Sequence, residues 1–177
     1  MSVAEHKHHA PSPARVRVAV VTVSDTRTEA TDEGGRIARD LAGGAGFEVV
    51  SKVILRDEPA DVAAHVRALA GAADAILLTG GTGLSSRDTT VEALAASFDK
   101  TIDGFGELFR MLSFQEVGPA AMLSRAIAGT MGRAAVFLMP GSPAAVRLAL
   151  ERLILPELPH LVSQLSREHS HGSHPPK

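Results

Sequence analysis

The chain has 177 residues, 45% hydrophobic and 21% charged, the make-up of one globular domain able to bury its own core, which excludes wholesale disorder and a fibrous repeat. Its 18 Lys and Arg against 20 Asp and Glu leave a formal charge of −2, and its aromatics are six Phe with no Trp or Tyr. Neither the basic surplus nor the stacking surface of a nucleic-acid binder is present. The absence of cysteine excludes disulfides, thiolate metal sites, iron–sulfur clusters and cysteine nucleophiles, and it suits a cytoplasmic address.

Residues 1–14 and 166–177 share a polar composition rich in His and Pro (His6, His8, His9; His169, His171, His174) that cannot bury a core, so both are expected to be disordered tails around a domain at 15–165. The first of them has no apolar stretch and reads as neither a secretory signal nor a membrane anchor. No run approaches the roughly 18 apolar residues of a spanning helix.

Within the domain, the β-branched run over 16–23 predicts a strand covered on both faces, ending in Ser24-Asp25. Asp32-Glu33 open a helix with Ile37, Ala38 and Leu41 on its apolar side, and Gly43-Gly44 close it. A second strand follows over 47–55. Pro59 then starts a helix over 59–69, with Val62, Val66 and Leu69 at helical spacing. A short strand over 74–78, a helix from Thr90, and weaker helical patterns over 104–111 and 120–126 come next. The last elements are a strand over 134–139 and a long helix over 143–165, which Pro156 and Pro159 are placed to kink or split. Strands alternating with helices of this length predict a three-layer α/β/α sandwich on a mostly parallel sheet.

In such sheets ligands gather beyond the carboxyl ends of the strands, where loops meet helix N-termini. Four of these ends carry chemistry: Ser24-Asp25, Arg56-Asp57-Glu58, the stretch from Thr79 to Asp88, and Pro140-Gly141-Ser142-Pro143. Thr79-Gly80-Gly81-Thr82-Gly83 leaves backbone N–H groups open to a phosphate, although it lacks the Lys-Ser/Thr ending of a Walker loop and only approaches a dinucleotide fingerprint. The same glycines also suit a plain strand-to-helix turn capped by Asp88, and Ser142 before Pro143 is an ordinary helix cap. Asp57 and Asp88 are the acidic pair on this rim: either two solvated turn residues or ligands of a Mg²⁺ whose other positions are filled by phosphate and water. Arg56 and Arg87, which precede them, are suited either to gripping phosphate or to pairing with the carboxylates.

Six segments in order, Thr22-Val23-Ser24-Asp25, Leu78-Thr79-Gly80-Gly81-Thr82-Gly83, Arg87-Asp88-Thr89-Thr90, Gly104-Phe105-Gly106-Glu107, Met122-Leu123-Ser124-Arg125-Ala126 and Pro140-Gly141-Ser142-Pro143, resemble the MoaB/Mog family of molybdenum cofactor biosynthesis. The resemblance runs from about Val16 to Leu165. It implies the molybdopterin-binding fold of that family, a homotrimer or homohexamer, and binding of the pterin molybdopterin. It also implies, in active members, transfer of AMP from Mg-ATP to the terminal phosphate of the pterin, whose product goes on to a molybdate-inserting enzyme.

By the same resemblance Asp57 and Asp88 fall on the aspartates of adenylyl transfer and hold Mg²⁺, while Ser124 falls on a pterin-binding serine. Ser24, Asp25, Thr79, Gly80, Gly81, Thr82, Gly83, Arg87, Gly141 and Ser142 complete the expected pterin and phosphate site. Arg56 and Thr89 depart from the adenylylating branch, which tends to have Pro before the Asp-Glu and Val after the Arg-Asp. Two other readings stay open: a catalytically inactive molybdopterin carrier, and an unrelated dinucleotide-dependent α/β enzyme. Of the remaining residues, His65 reads as structural and Glu107 as either a site residue or a helix-dipole partner. The cluster Phe105, Phe109, Met111, Leu112 and Phe114 is richer than one helix spends on its own core and predicts a subunit interface.

Overall fold

A computed structural model describes residues 12–86 and 88–168. Much of both expected tails therefore lies outside the described residues. Of the remainder, Pro13 opens the 3₁₀ turn Pro13–Arg15 and residues 166–168 continue the last helix.

Six strands form one sheet: β1 (Arg17–Val23), β2 (Glu48–Leu55), β3 (Ala75–Gly80), β4 (Lys100–Thr101), β5 (Ile127–Met131) and β6 (Ala134–Met139). Their order is β2-β1-β3-β6-β5-β4. β2, β1, β3 and β6 are parallel, whereas β5 returns antiparallel to β6 and β4 antiparallel to β5. The expected mostly parallel sheet is thus extended by an antiparallel edge, which the sequence analysis did not anticipate. Part of the segment expected to be helical over 120–126 is a 3₁₀ turn, Gly118–Leu123, and β5 begins four residues later. Thr130 pairs with Ala135 and Met131 with Ala134 across the turn at Gly132, whose φ is +57°.

Strand alternation decides the layers. Val18, Val20, Leu77, Phe137 and Met139 face one side, against α1 (Glu33–Gly44), α4 (Asp103–Val117) and the C-terminal helical run. Val21, Ile76, Leu78, Val136 and Leu138 face the other, against α2 (Pro59–Leu69) and α3 (Thr90–Ala95). Two apolar clusters on the two faces of one sheet make the three-layer sandwich. Near the amino ends of the strands, Asp74 accepts hydrogen bonds from the backbone N–H and guanidinium of Arg17 and ties the start of β3 to β1.

Where the prolines were expected to kink or split it, the C-terminal run changes from α-helix to a π-helical turn and back. It comprises α5 (Pro143–Ala149), a π-helical turn (Leu150–Ile154) and α6 (Leu155–Glu168). Pro156 and Pro159 have no N–H to offer the carbonyls four residues earlier, and the wider turn immediately before them lets the run continue. The predicted aromatic interface divides as well. Phe105 and Phe109 are buried, Phe105 packing against both Phe109 and Phe137, and the exposed apolar side chains on this surface are Leu108, Met111, Phe114, Val117, Met122 and Leu123.

Candidate functional site

The parallel strands β1, β2, β3 and β6 end on one rim, and hydrogen bonds join their loops. Ser24 N–H donates to the carbonyl of Leu55 at 2.8 Å and Asp57 N–H to Oδ1 of Asp25 at 3.2 Å, closing the β1 and β2 ends together. Thr90, the first residue of α3, donates its hydroxyl to Oδ1 of Asp57 at 2.6 Å, so the end of β2 is bound to the helix that follows Asp88. Gly80 turns the chain out of β3 at φ +91°, with its Cα so close to β1 that a Cβ would stand 2.3 Å from the carbonyl oxygen of Val23. Only glycine accommodates both demands.

Beyond Gly80 the loop folds around Asp88. Oδ2 of Asp88 accepts the N–H of Ser85 at 2.9 Å and the N–H of Asp88 donates back to the Ser85 carbonyl at 2.9 Å. The carboxylate fills the space that Gly83 leaves open, since a Cβ there would lie 2.4 Å from Oδ2. Arg87 lies outside the described residues.

Two hollows open between the loops. One, of about 190 Å³, is walled by Thr22, Ser24, Arg27, Asp32, Gly34, Thr79, Gly80, Gly141 and Ser142. Ser142 also caps α5 through its side chain to Ala145 N–H. The other, of about 270 Å³, lies between α4 and α5 and includes Thr82, Phe109, Ser113, Ser124, Pro140 and Ala144 in its wall. Ser124 Oγ is buried and has no hydrogen-bond partner among the described residues. A buried hydroxyl left unpaired carries a free-energy cost that a bound ligand relieves.

Five of the expected residues, Ser24, Thr79, Gly80, Gly141 and Ser142, therefore share the first hollow, and Thr82 and Ser124 share the second. Asp25, Asp57, Gly81, Gly83 and Asp88 line neither; they hold the loops that do. Glu107 stands apart, in a separate cleft with Phe98, Asp103, Arg110 and Ile127 beside β4. His65 Nε2 is buried on α2 without a partner among the described residues, away from the rim.

The largest omission from the sequence reading is a charged network beneath the first hollow. Asp32, only 3% exposed, caps α1 through Gly35 N–H at 2.9 Å, accepts the Thr22 hydroxyl at 2.9 and 3.0 Å, and pairs with Lys52 at 2.8 Å. Thr79 donates to Thr22 at 3.4 Å across the β1–β3 register. Burial works against the Asp32 carboxylate, but hydrogen bonds from Lys52, Gly35 and Thr22 and the Lys52 charge outweigh it and lower its pKa. Burial likewise opposes the Lys52 ammonium, and the hydrogen bonds it donates to Asp32 and Glu29, with their charges, raise its pKa. The sequence signal was a lone lysine inside a strand and a threonine interrupting a run of valines.

Arg125 was also missed as a site residue, although it belongs to the quoted Leu-Ser-Arg segment. Its guanidinium binds the backbone carbonyls of Thr82 and Asp88 and the carboxylate of Glu92. Among the described residues no group of three or more acidic or histidine side chains converges as a metal cage. Among the described residues, Oδ2 of Asp57 and Oδ1 of Asp88 accept no hydrogen bond, and they are hard ligands of the kind that hold Mg²⁺ by one or two carboxylates while phosphates and water complete the shell. That donor set fits the ion.

These features define an α/β domain whose parallel strands end at one rim of joined loops and two hollows. The profile of the family described as "Probable molybdopterin binding domain" matches residues 19–160. Molybdenum cofactor biosynthesis protein B of Bacillus cereus is 51% identical over 173 residues, 95% of this chain and all of that protein, and its namesake in Bacillus subtilis is 46% identical over 95% and 99%. A crystal structure of a molybdenum cofactor biosynthesis protein B, 51% identical, superposes with a TM-score of 0.83 over 89% of this chain and 99% of its own. The tungsten cofactor synthesizing protein MoaB of Pyrococcus furiosus, 36% identical, superposes at 0.77 over 88% and 99%. The chain belongs to the molybdenum cofactor biosynthesis protein B family and carries its molybdopterin-binding domain. The family and fold expected from the six motifs are both borne out. No helix among the described residues is long and apolar enough to cross a membrane.

Proposed function

We propose that this chain binds molybdopterin and transfers AMP from Mg-ATP to its terminal phosphate. An oxygen of that phosphate bonds to the α-phosphorus as the bond to the β-phosphate oxygen breaks, and pyrophosphate leaves. The observation that carries this reading is the pairing of Ser124, which lines the 270 Å³ cavity and whose Oγ is buried without a partner among the described residues, with a glycine-rich loop that ends in Asp88. Ser124 and Thr82 receive the pterin side of the substrate. The N–H groups of the loop from Gly80 to Gly83, together with Ser24, Gly141 and Ser142 around the smaller hollow, receive phosphate oxygens.

Asp57 and Asp88 would hold Mg²⁺ through their carboxylates. When bound there, the ion would supply positive charge to offset that of the triphosphate and pyrophosphate. The attacking phosphate carries about −1.5 to −2 charge at pH 7, so the residues need to position it and to offset charge; no strong general base is required.

A single-turnover mixture of protein, molybdopterin and Mg-ATP is expected to form adenylylated molybdopterin and pyrophosphate in equal amounts. Molybdopterin retained on the protein with no product formed would replace this reading with that of a pterin carrier acting before the molybdate-inserting enzyme.

We also infer that copies of the chain associate through α4 and the 3₁₀ turn after it, as a trimer or hexamer. Phe114 is 59% exposed and Met122 78%, and with Leu108, Met111, Val117 and Leu123 they form an apolar surface larger than lone exposed residues explain. Phe114→Glu is expected to lower the solution mass toward that of one chain, 18.5 kDa. Light scattering on the unaltered protein that gives a single-chain mass at micromolar concentration would remove this assembly.

A further inference from the structure

Arg125 sits where the two halves of the rim meet. It follows Ser124, which lines the larger hollow, and its side chain is 20% exposed. Nη2 donates to the main-chain oxygen of Asp88 at 2.6 Å, Nε to that of Thr82 at 3.4 Å, and Nη1 to the carboxylate of Glu92 on α3. The two carbonyls flank the glycine-rich loop: Thr82 lines the cavity with Ser124, and Asp88 carries the carboxylate at the far end. Between them, among the described residues, the loop's own hydrogen bonds are the two reciprocal ones that join Ser85 and Asp88, and residues 83–86 are exposed. A planar guanidinium with donors in several fixed directions spans such acceptors at once, which the single ammonium of lysine does not.

We propose that Arg125 is a positioning residue that holds Asp88 in fixed relation to the Ser124 cavity. Resting on the AMP-transfer reading above, this makes the separation between the metal-holding carboxylate and the pterin-holding hydroxyl a property of one side chain. Arg125 touches neither reacting group. It acts through the main chain of Asp88, so its loss should disturb the metal requirement and turnover more than the hold on the pterin.

The test compares unaltered protein with Arg125→Gln and Arg125→Lys. In Arg125→Gln, single-turnover AMP transfer is expected to slow roughly 10- to 30-fold and the Mg²⁺ concentration for half-maximal rate to rise about fivefold, while the molybdopterin Kd stays within about twofold. Arg125→Lys should recover only part of the rate. Amide hydrogen exchange at Ser85 and Asp88, the two hydrogen-bonded N–H groups of the loop, is expected to quicken about tenfold in Arg125→Gln, with β1 amides unchanged as the check on folding.

Loop exchange unaltered in Arg125→Gln would overturn the proposal, as would faster exchange with an unaltered rate and Mg²⁺ requirement. Should the unaltered protein form no product, the AMP-transfer reading falls by itself. Loop exchange and Mg²⁺-dependent ATP binding would then decide for Arg125: weakening of about fivefold in the Gln variant upholds it and binding within twofold overturns it.

Discussion

Replacing Asp32 by Ala is expected to lower the unfolding free energy by about 3–5 kcal/mol, a large share of the roughly 5–15 kcal/mol that holds a domain of this kind together. The substitution removes the partner of an ammonium that is only 10% exposed, leaves the Thr22 hydroxyl without its acceptor and takes the cap from Gly35 N–H. Glu29 remains bonded to Lys52 at 2.9 Å, which keeps the loss toward the lower figure. Urea unfolding at pH 7 measures it. A second substitution, Lys52→Met on the Asp32→Ala background, should restore part of the stability, because the uncompensated charge leaves with the lysine.

The pH dependence has a definite sign. Asp32 has a lowered pKa, so its contribution is complete above the ordinary carboxylate value of about 3.9 and fades as pH falls through the folded value. Lys52 has a raised pKa, so its contribution is complete below about 10.4 and fades as pH rises through the folded value. The stability gap between the unaltered protein and Asp32→Ala is therefore widest on the plateau between these limits and narrows in acid. A gap that stays constant from pH 7 down to pH 2 would contradict the pairing.

How much of this was legible depended on whether the signal was local. The valines of β1, the caps Asp32 and Ser142, and the glycines after β3 act within a few residues of themselves, and the elements they predict are present. The rim was legible for the same reason: once the strands are parallel, their carboxyl ends share a side, and Ser24, Asp57, Gly80 and Gly141 meet there. Asp32 and Lys52 escaped because their pairing joins residues 20 positions apart, and a lysine in a strand reads as a solvated edge residue until its neighbour is known. β5 escaped because Ala128 and Gly129 have low strand propensity; Gly129 lies against the ring of Phe98, in a space where a Cβ would meet the ring at 2.2 Å. Phe105 and Phe114 share one helix and one composition, and tertiary packing alone sends the first to Phe137 and leaves the second exposed.

Asp88→Asn is expected to slow AMP transfer by about 100- to 1000-fold, equivalent to roughly 3–4 kcal/mol of barrier, while molybdopterin binding changes by no more than about threefold. The amide oxygen of asparagine still accepts Ser85 N–H, so the turn that Asp88 closes is retained. What is lost is the negative charge offered to Mg²⁺ by the unshared oxygen. Asp57→Asn should behave alike, since an amide oxygen can still accept the Thr90 hydroxyl that the carboxylate accepts at 2.6 Å.

The decisive comparison is the double variant. If Asp57 and Asp88 hold one ion, the first substitution already forfeits most of what the ion provides, and Asp57→Asn on top of Asp88→Asn should cost only a few-fold more, well short of the product of the two separate losses. Raising Mg²⁺ should also recover part of the activity of each single variant and less of the double. Rates that simply multiply, with no response to Mg²⁺, would mean that the two aspartates act on different parts of the substrate. The shared-ion assignment would then have to be abandoned even if each aspartate proved essential.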